Sequence, residues 1–151
     1  MTEPPGPKVL PAVAAGSISA VVVLSLAYAG GVAVIAVQSQ DLLTTLLAAV
    51  TVLLLAIILI FLPNMLVGVL VGLLLGLGSR LASRPLGPIA GALIGFALAE
   101  TVFSFAIPRV VPPQPDGDFV TIISNRYLTG AHGLLLGSLT GLLFRRLSRG
   151  G

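Results

Sequence analysis

The sequence has no cysteine, no tryptophan and one histidine in 151 residues, and only 9% of its residues are charged. The absence of cysteine excludes disulfides, thiolate metal sites and thiol catalysis. Soluble domains carry about 25% charged residues, so water alone does not solvate the surface of this chain. With 56% hydrophobic residues and a mean hydropathy of +1.12, the composition indicates an integral membrane protein in a lipid bilayer.

Catalytic and nucleic-acid-binding patterns are also missing. Eight basic and five acidic residues give a formal net charge of +3, but the arginines stand where apolar runs end, which does not suggest a nucleic-acid partner. No Ser/His/Asp, paired-carboxylate, P-loop or metal-spacing motif is present. Asp116 and Asp118 are too few acids for an oxygen cage around a cation. We therefore expect neither an enzyme nor a metal site.

The apolar runs are long enough to cross a bilayer, for which a helix needs about 20 apolar residues. The run from Leu42 to Gly78 would be about 55 Å long as one helix, whereas the hydrocarbon core is about 30 Å thick. Because Pro63-Asn64 is the turn-forming pair inside this run, a tight hairpin is predicted there.

The sequence thus predicts an all-α integral membrane protein, a polytopic bundle of about five transmembrane helices. If residues 42–78 form one bent element, the count is four. The predicted organisation has an N-terminal tail 1–10, one membrane domain 11–144 with spans 11–37, 42–62, 65–78, 86–107 and 128–144, an external loop 108–127, and a basic tail 145–151.

The arginines predict the orientation. One short loop contains Arg80 and Arg84, and the last span is followed by Arg145, Arg146 and Arg149. Both clusters lie on the same side because two spans separate them, and the positive-inside rule makes that side cytoplasmic. The C-terminus is then cytoplasmic and loop 108–127 external. The N-terminus is external with five spans and cytoplasmic with four.

Glycines recur at every fourth position in three predicted spans. Helical residues four apart share a face, and such small-residue faces let membrane helices pack closely. The spacing predicts packing within the chain, against further copies, or against other membrane-protein subunits. The three stripes are Gly68, Gly72 and Gly76; Gly87, Gly91 and Gly95; and Gly133, Gly137 and Gly141.

Two of these stripes suggest an internal repeat. Three leucines separate Gly72 from Gly76, three leucines separate Gly133 from Gly137, and arginines follow both segments. The pattern predicts one leading helix and two hairpins, the first turning at Pro63-Asn64 and the second at the proline-rich loop. Chance similarity in a low-complexity sequence is the alternative.

Glu100 is an acid inside an apolar run and is the strongest functional lead. At about 100° per residue, it points about 140° away from Gly95, toward the face of Leu93, Phe96 and Ser104. A charged acid in the hydrocarbon costs a few kcal/mol on insertion scales, so it should be protonated, paired or hydrated. His132 has a similar predicted depth on the next helix, which predicts an intramembrane polar pair, with Arg126 also able to reach inward.

Three roles for this pair stay open: a polar contact that fixes helix register, a proton or cation pathway, and contact with a partner subunit or cofactor. Within the last, His132 could be an axial ligand of haem or chlorophyll, since imidazole is a usual ligand. No other cofactor is predicted.

The segment from Gly95 to Thr101 resembles the outer-helix segment around the ion-carrying glutamate of rotary ATPase proteolipids. Ala82-Ser-Arg84-Pro85 resembles the polar loop of that hairpin, although it lacks the glutamine, and an extra loop and helix follow the glutamate here. The resemblance implies an ion-carrying role for Glu100 within one hairpin.

Two functional hypotheses follow. In the first, the protein is a small non-catalytic accessory or scaffold subunit that packs through its glycine faces into a larger membrane complex. In the second, it is a proton- or cation-coupled carrier or channel that uses Glu100. The first is favoured because a translocation path normally contains several polar groups through the membrane, and the predicted cytoplasmic half has almost none.

Overall fold

The computed structural model describes residues 9–38, 41–55, 60–110 and 125–149. The secondary-structure elements within these ranges are helices. The described residues contain four helices that are long and apolar enough to cross a membrane, Val9–Val34, Leu62–Leu81, Pro88–Arg109 and Arg126–Leu147. The elements are α1 (Val9–Gln38), α2 (Leu42–Leu55), α3 (Leu62–Leu81), α4 (Pro88–Ala99), a π-helix (Glu100–Ala106), α5 (Ile107–Val110) and α6 (Arg126–Leu147).

The turn predicted at Pro63-Asn64 is wrong. Both residues lie in the first turn of α3, and the preceding Phe61 already has helical dihedral angles of −59° and −52°. Proline is tolerated at a helix start because its missing N–H has no intrahelical partner there. The predicted span 42–62 corresponds to α2, which is described only to Leu55, and the five-span count is not confirmed.

Helices α1 and α3 form an antiparallel hairpin whose seam consists of small residues. Gly68 lies against Gly16, and Gly72 lies against Ala12, so closely that a Cβ atom added at either α3 glycine would overlap the α1 backbone. Gly76 continues the seam against Val9. The partner of α3 is therefore α1, which supplies its own small-residue face.

Helices α4 and α6 form a second antiparallel hairpin in the same way. Gly133 lies against Gly95, and Gly137 lies against Gly91, again with no room for a Cβ atom at any of the four. Gly141 continues the seam against the backbone of Gly87. Close backbone approach of this kind is what small-residue faces provide in membrane helices.

The two hairpins pack side by side into a four-helix bundle, with α1 against α6 and α3 against α4. The core between them is apolar. Its largest buried side chains are Val67, Val71, Leu75, Leu136 and Phe144.

The hairpins repeat one another in structure. Superimposing the contact Gly16–Gly68 on the contact Gly95–Gly133 aligns all three glycines of α3 with those of α6, and Arg80 with Arg145. The register differs by one helical turn from the predicted repeat, because Gly68 and not Gly72 occupies the place of Gly133. The first helices of the repeats are α1 and α4.

The second half of α1 continues beyond the bundle and packs against α2, where the Tyr28 hydroxyl donates to the carbonyl oxygen of Ala49 at 3.3 Å. We call the described residues of this extension, 24–38 and 41–55, the arm. Its surface is apolar: Val37 is 87% exposed and Leu43 63% exposed. Asp41 caps α2 by accepting from the Thr44 hydroxyl at 2.8 Å and from its amide at 3.1 Å.

Candidate functional site

Polar side chains collect in one layer at the end of the bundle from which the arm extends. This end, which we call the Arg126 end, lies opposite the Arg80 end, where Arg84, Arg145, Arg146 and Arg149 also lie. All members of the layer come from α3, α6 and the π-helix. The polar layer consists of Asn64, Glu100, Ser104, Arg126, Thr129 and His132.

Glu100 contacts α6 through both carboxylate oxygens. The Thr129 hydroxyl donates to Oε1 at 2.9 Å, and Arg126 places Nε 3.6 Å from Oε2. The glutamate side chain is 19% exposed, whereas that of Arg126 is 85% exposed. An intramembrane carboxylate is expected to need such partners, and here both come from the first turn of the next helix.

His132 belongs to a second polar contact, which joins three helices. The Asn64 side-chain amide donates to the carbonyl oxygen of Ala20 at 2.7 Å. Since a carbonyl only accepts, Asn64 presents its Oδ1 atom to His132, whose Nε2 lies 2.7 Å away. Amide oxygen is also only an acceptor, so Nε2 carries the hydrogen. The His132 ring stands edge-on to Phe103, with centroids 5.6 Å apart.

The predicted pairing of Glu100 with His132 is thus corrected: the structure gives the two residues separate partners. Similar depths on neighbouring helices predict that the two side chains meet. In the structure, Glu100 and His132 instead lie at different sides of α6. At about 100° per residue, His132 points about 100° to one side of Gly133, and Gly130 points about 60° to the other. Glu100 lies on the Gly130 side, whereas His132 faces Asn64 of α3.

The π-helix begins at Glu100 and contributes three side chains that contact the layer. Its wider turn carries Phe103 to His132 and Ser104 to Thr129, whose hydroxyl oxygens are 2.9 Å apart. Single-turn π-helices occur often at functional sites. The apolar periodicity of the sequence gives no signal for this change of helix type.

The existing contacts of His132 disfavour cofactor binding at its ring. Its Nε2 is bonded to Asn64 and its ring contacts Phe103, so an axial bond to haem or chlorophyll through Nε2 would break the link to α3. Among the residues the structure describes, no group of three or more histidine, cysteine, aspartate or glutamate residues could hold a metal ion. Asp116 and Asp118 lie outside the described residues.

The glycines predicted as packing positions lie at contacts between helices of this same chain, except that an added Cβ atom at Gly87 would meet nothing within 4 Å. The α3 stripe faces α1, and the stripes of α4 and α6 face each other. The glycine stripes therefore make their contacts within a single molecule.

Several residues of the layer were not predicted. Asn64 has the pattern of a turn residue because proline precedes it, and Thr129 is a common hydroxyl residue without a motif. Ser104 is predicted to share the face of Glu100, but its contact with Thr129 is not predicted. The α1 face of Ala12, Gly16 and Ala20 was visible in the sequence as small residues at four-residue spacing, but alanines weaken that signal.

No family model, curated protein or solved structure matches this chain. The resemblance to rotary ATPase proteolipids predicts that α3 and α4 form a closely packed hairpin. In the structure the glycines of α3 pack on α1 and those of α4 pack on α6.

Proposed function

We propose that this protein is a small, non-catalytic, multi-pass membrane protein that serves as an accessory or scaffold subunit of a larger membrane complex. The Arg80 end faces the cytoplasm and the Arg126 end faces the opposite side, as the positive-inside rule requires. The observation that carries the proposal is the apolar arm, because the helices extend farther than the hydrocarbon core of a bilayer can cover.

The lengths support this. From Asn64 to Arg80, α3 rises about 24 Å, and from Ala20 to Gln38, α1 rises about 27 Å in the opposite direction. Asn64 and Ala20 are at the same level, since they are hydrogen-bonded. The combined apolar length exceeds the hydrocarbon core of about 30 Å by about 20 Å. A tilt of about 40°, the upper end for membrane helices, shortens the projection to about 39 Å, which still exceeds the hydrocarbon core by about 9 Å.

An arm that leaves the bilayer exposes leucines and valines to water unless another protein covers them. Exposed apolar patches of this kind mark interaction sites. The partner surface therefore differs from the one predicted from the sequence: the glycine stripes pack the two helices of each hairpin together, and the arm is the surface that a partner subunit covers.

Transport has weaker support. The polar layer lies at the Arg126 end, and toward the Arg80 end the glycine backbones of paired helices touch. Near the Arg80 end, the buried hydroxyl of Ser79 accepts from the Leu86 amide at 2.9 Å. The buried hydroxyl of Thr140 donates to the Leu136 carbonyl of its own helix at 2.8 Å. This region offers no chain of polar groups that a proton or cation could follow, so we do not extend the proposal to a carrier or channel.

Site-directed photo-crosslinking in the native membrane tests the partner. A photoreactive amino acid is placed in the arm at Leu43 or Leu47, and as a matched control on the bundle at Leu93 or Leu135, all of which are exposed. We expect both arm positions to crosslink to the same partner protein, identified by mass spectrometry, and the bundle positions to crosslink to lipid. Crosslinks from the arm to a second copy of the chain, or to no protein, contradict the subunit proposal.

Single-cysteine labelling tests the orientation, since the natural chain has no cysteine. Ser83 and Ser148 lie at the Arg80 end and Asn125 at the Arg126 end. In intact cells a membrane-impermeant maleimide should label Asn125→Cys and leave Ser83→Cys and Ser148→Cys unlabelled until the cells are lysed. The reverse pattern contradicts the orientation, and labelling of all three in intact cells contradicts membrane insertion.

A further inference from the structure

A shallow groove runs along the outer seam between α4 and α6, on the side away from the first hairpin. Glu100 and Arg126 stand at one end and Leu134 at the other. From Arg126 to Leu134 the groove descends about 12 Å along α6. The side chains of Phe96 and Tyr127 border it.

Gly130 lines the groove but is itself buried, because the Phe96 ring and Glu100 pack against it. A Cβ atom added there would lie 2.9 Å from Cε2 of Phe96 and 3.6 Å from Oε1 of Glu100. The neighbouring α6 residue that lines the groove, Ala131, is exposed and small. A slender apolar chain can therefore lie along the exposed ring of Phe96 and the small side chain of Ala131.

The polar end of the groove exposes the guanidinium group of Arg126, which lies close to Glu100. Arg126 approaches Glu100 through Nε, and 85% of its side chain is exposed. The terminal nitrogens of a guanidinium are suited to bidentate contact with phosphate. Tyr127, 89% exposed, stands beside it, and tyrosine favours the membrane–water interface.

We propose that this groove binds one glycerophospholipid of the leaflet at the Arg126 end. The lipid phosphodiester contacts Arg126, and one acyl chain lies along Phe96 and Ala131 toward Leu134. Glu100 is a positioning residue that holds the guanidinium at the mouth of the groove. The inference rests on the proposed insertion in a membrane, and the order of groups in the groove, charged at the interface and apolar below, matches that of a phospholipid.

Binding is measured by native mass spectrometry of the detergent-purified protein with added phosphatidylglycerol. Arg126→Gln should weaken binding about tenfold, the loss expected for one charge-assisted contact. Ala131→Phe, which fills the groove from an exposed position, should weaken it by a similar factor. The matched controls are Arg109→Gln, which removes an arginine stacked 3.5 Å from the Phe105 ring centroid, and Leu135→Phe, which adds a ring outside the groove. Both should bind like the natural protein.

Three ligands separate the sources of binding. Phosphatidylglycerol should bind, whereas diacylglycerol, which lacks phosphate, and glycerol phosphate, which lacks acyl chains, should bind at least about tenfold more weakly. Equal binding of glycerol phosphate, with no effect of Ala131→Phe, overturns the lipid assignment in favour of a simple phosphate site. Equal binding of diacylglycerol removes the role of Arg126.

Native membranes provide the remaining outcome. A photoreactive residue at Tyr127 should crosslink to lipid, and a crosslink to a protein overturns the proposal because a partner helix then occupies the groove. The cysteine-labelling pattern at Ser83, Asn125 and Ser148 tests membrane insertion separately from lipid binding in the groove. If it shows insertion while lipid binding is lost in neither Arg126→Gln nor Ala131→Phe, the groove proposal alone fails.

Discussion

The two hairpins share one packing scheme and differ in their chemistry. In each, three glycines on the second helix contact small residues or backbone of the first helix. In the superposition of the hairpins, however, Glu100 aligns with Val21, His132 with Val67, and Thr129 with Asn64. The shared seam holds each hairpin together, whereas most of the polar residues belong to the second hairpin alone.

Blocking the seams should have the largest effect and tests whether the hairpins are packed equally. Gly72→Leu and Gly137→Leu each force a side chain into the backbone of the facing helix, and overpacking of this kind should cost about 3 kcal/mol or more. Thermal unfolding in detergent, followed by circular dichroism, should show similar losses for both. Gly30→Leu is the control, since nothing lies within 4 Å of an added Cβ atom there. A variant that unfolds like the natural protein would show that its two helices can move apart and accommodate the leucine without loss of stability.

Removing the hydrogen bond between Asn64 and His132, which links the two hairpins, should have the next largest effect. Asn64→Leu removes the acceptor of His132 Nε2 and should destabilise the bundle by about 1–2 kcal/mol, because a buried donor loses its partner. Replacing both partners by apolar residues should be much less harmful. The double variant Asn64→Leu/His132→Leu should therefore be more stable than Asn64→Leu alone. A double variant that is less stable than the single one would mean that packing of the two side chains, not the hydrogen bond, dominates.

Making the second hairpin resemble the first should change stability little. Glu100→Val introduces the residue found at the aligned position, Val21. Thr129 keeps its contact with Ser104 at 2.9 Å, and Arg126 is mostly exposed, so the loss of the ion pair should change the unfolding free energy by less than about 1 kcal/mol. Thermal unfolding checks this. If Glu100→Val proves as harmful as the seam variants, the glutamate has a structural role that its two described contacts do not explain.

The smallest effect is expected at Asp41, in the arm that follows only the first hairpin. Hydrogen bonds from the Thr44 hydroxyl, then from the Thr44 and Leu43 amides, hold the pKa of Asp41 below its ordinary value. A lowered pKa in the folded state stabilises the start of α2 above the ordinary pKa, and this is lost as the pH falls through the lowered value. Amide hydrogen-exchange protection factors at Leu43 and Thr44 should fall in acid. Asp41→Asn should abolish this pH dependence, and its persistence would assign it to another group.

The sequence was sufficient for the helical class and for the positions of the glycine faces, because hydropathy and four-residue spacing are local patterns. It was misleading at Pro63-Asn64, where a local turn signal was outweighed by contacts of Asn64 with residues distant in the chain, Ala20 and His132. Helix partners depend on such distant contacts. The same is true of the polar layer, in which direction around α6 decided which of Glu100 and His132 met which neighbour.

The link between Asn64 and His132 has a consequence for the order in which the protein assembles. Asn64 reaches His132 from α3 while its amide remains bonded to α1, and His132 is on α6. The second hairpin can close over a shorter stretch of chain than the first, since α2 intervenes between α1 and α3. The link forms only when all these helices are in place. It therefore joins the two hairpins only after synthesis has delivered α6.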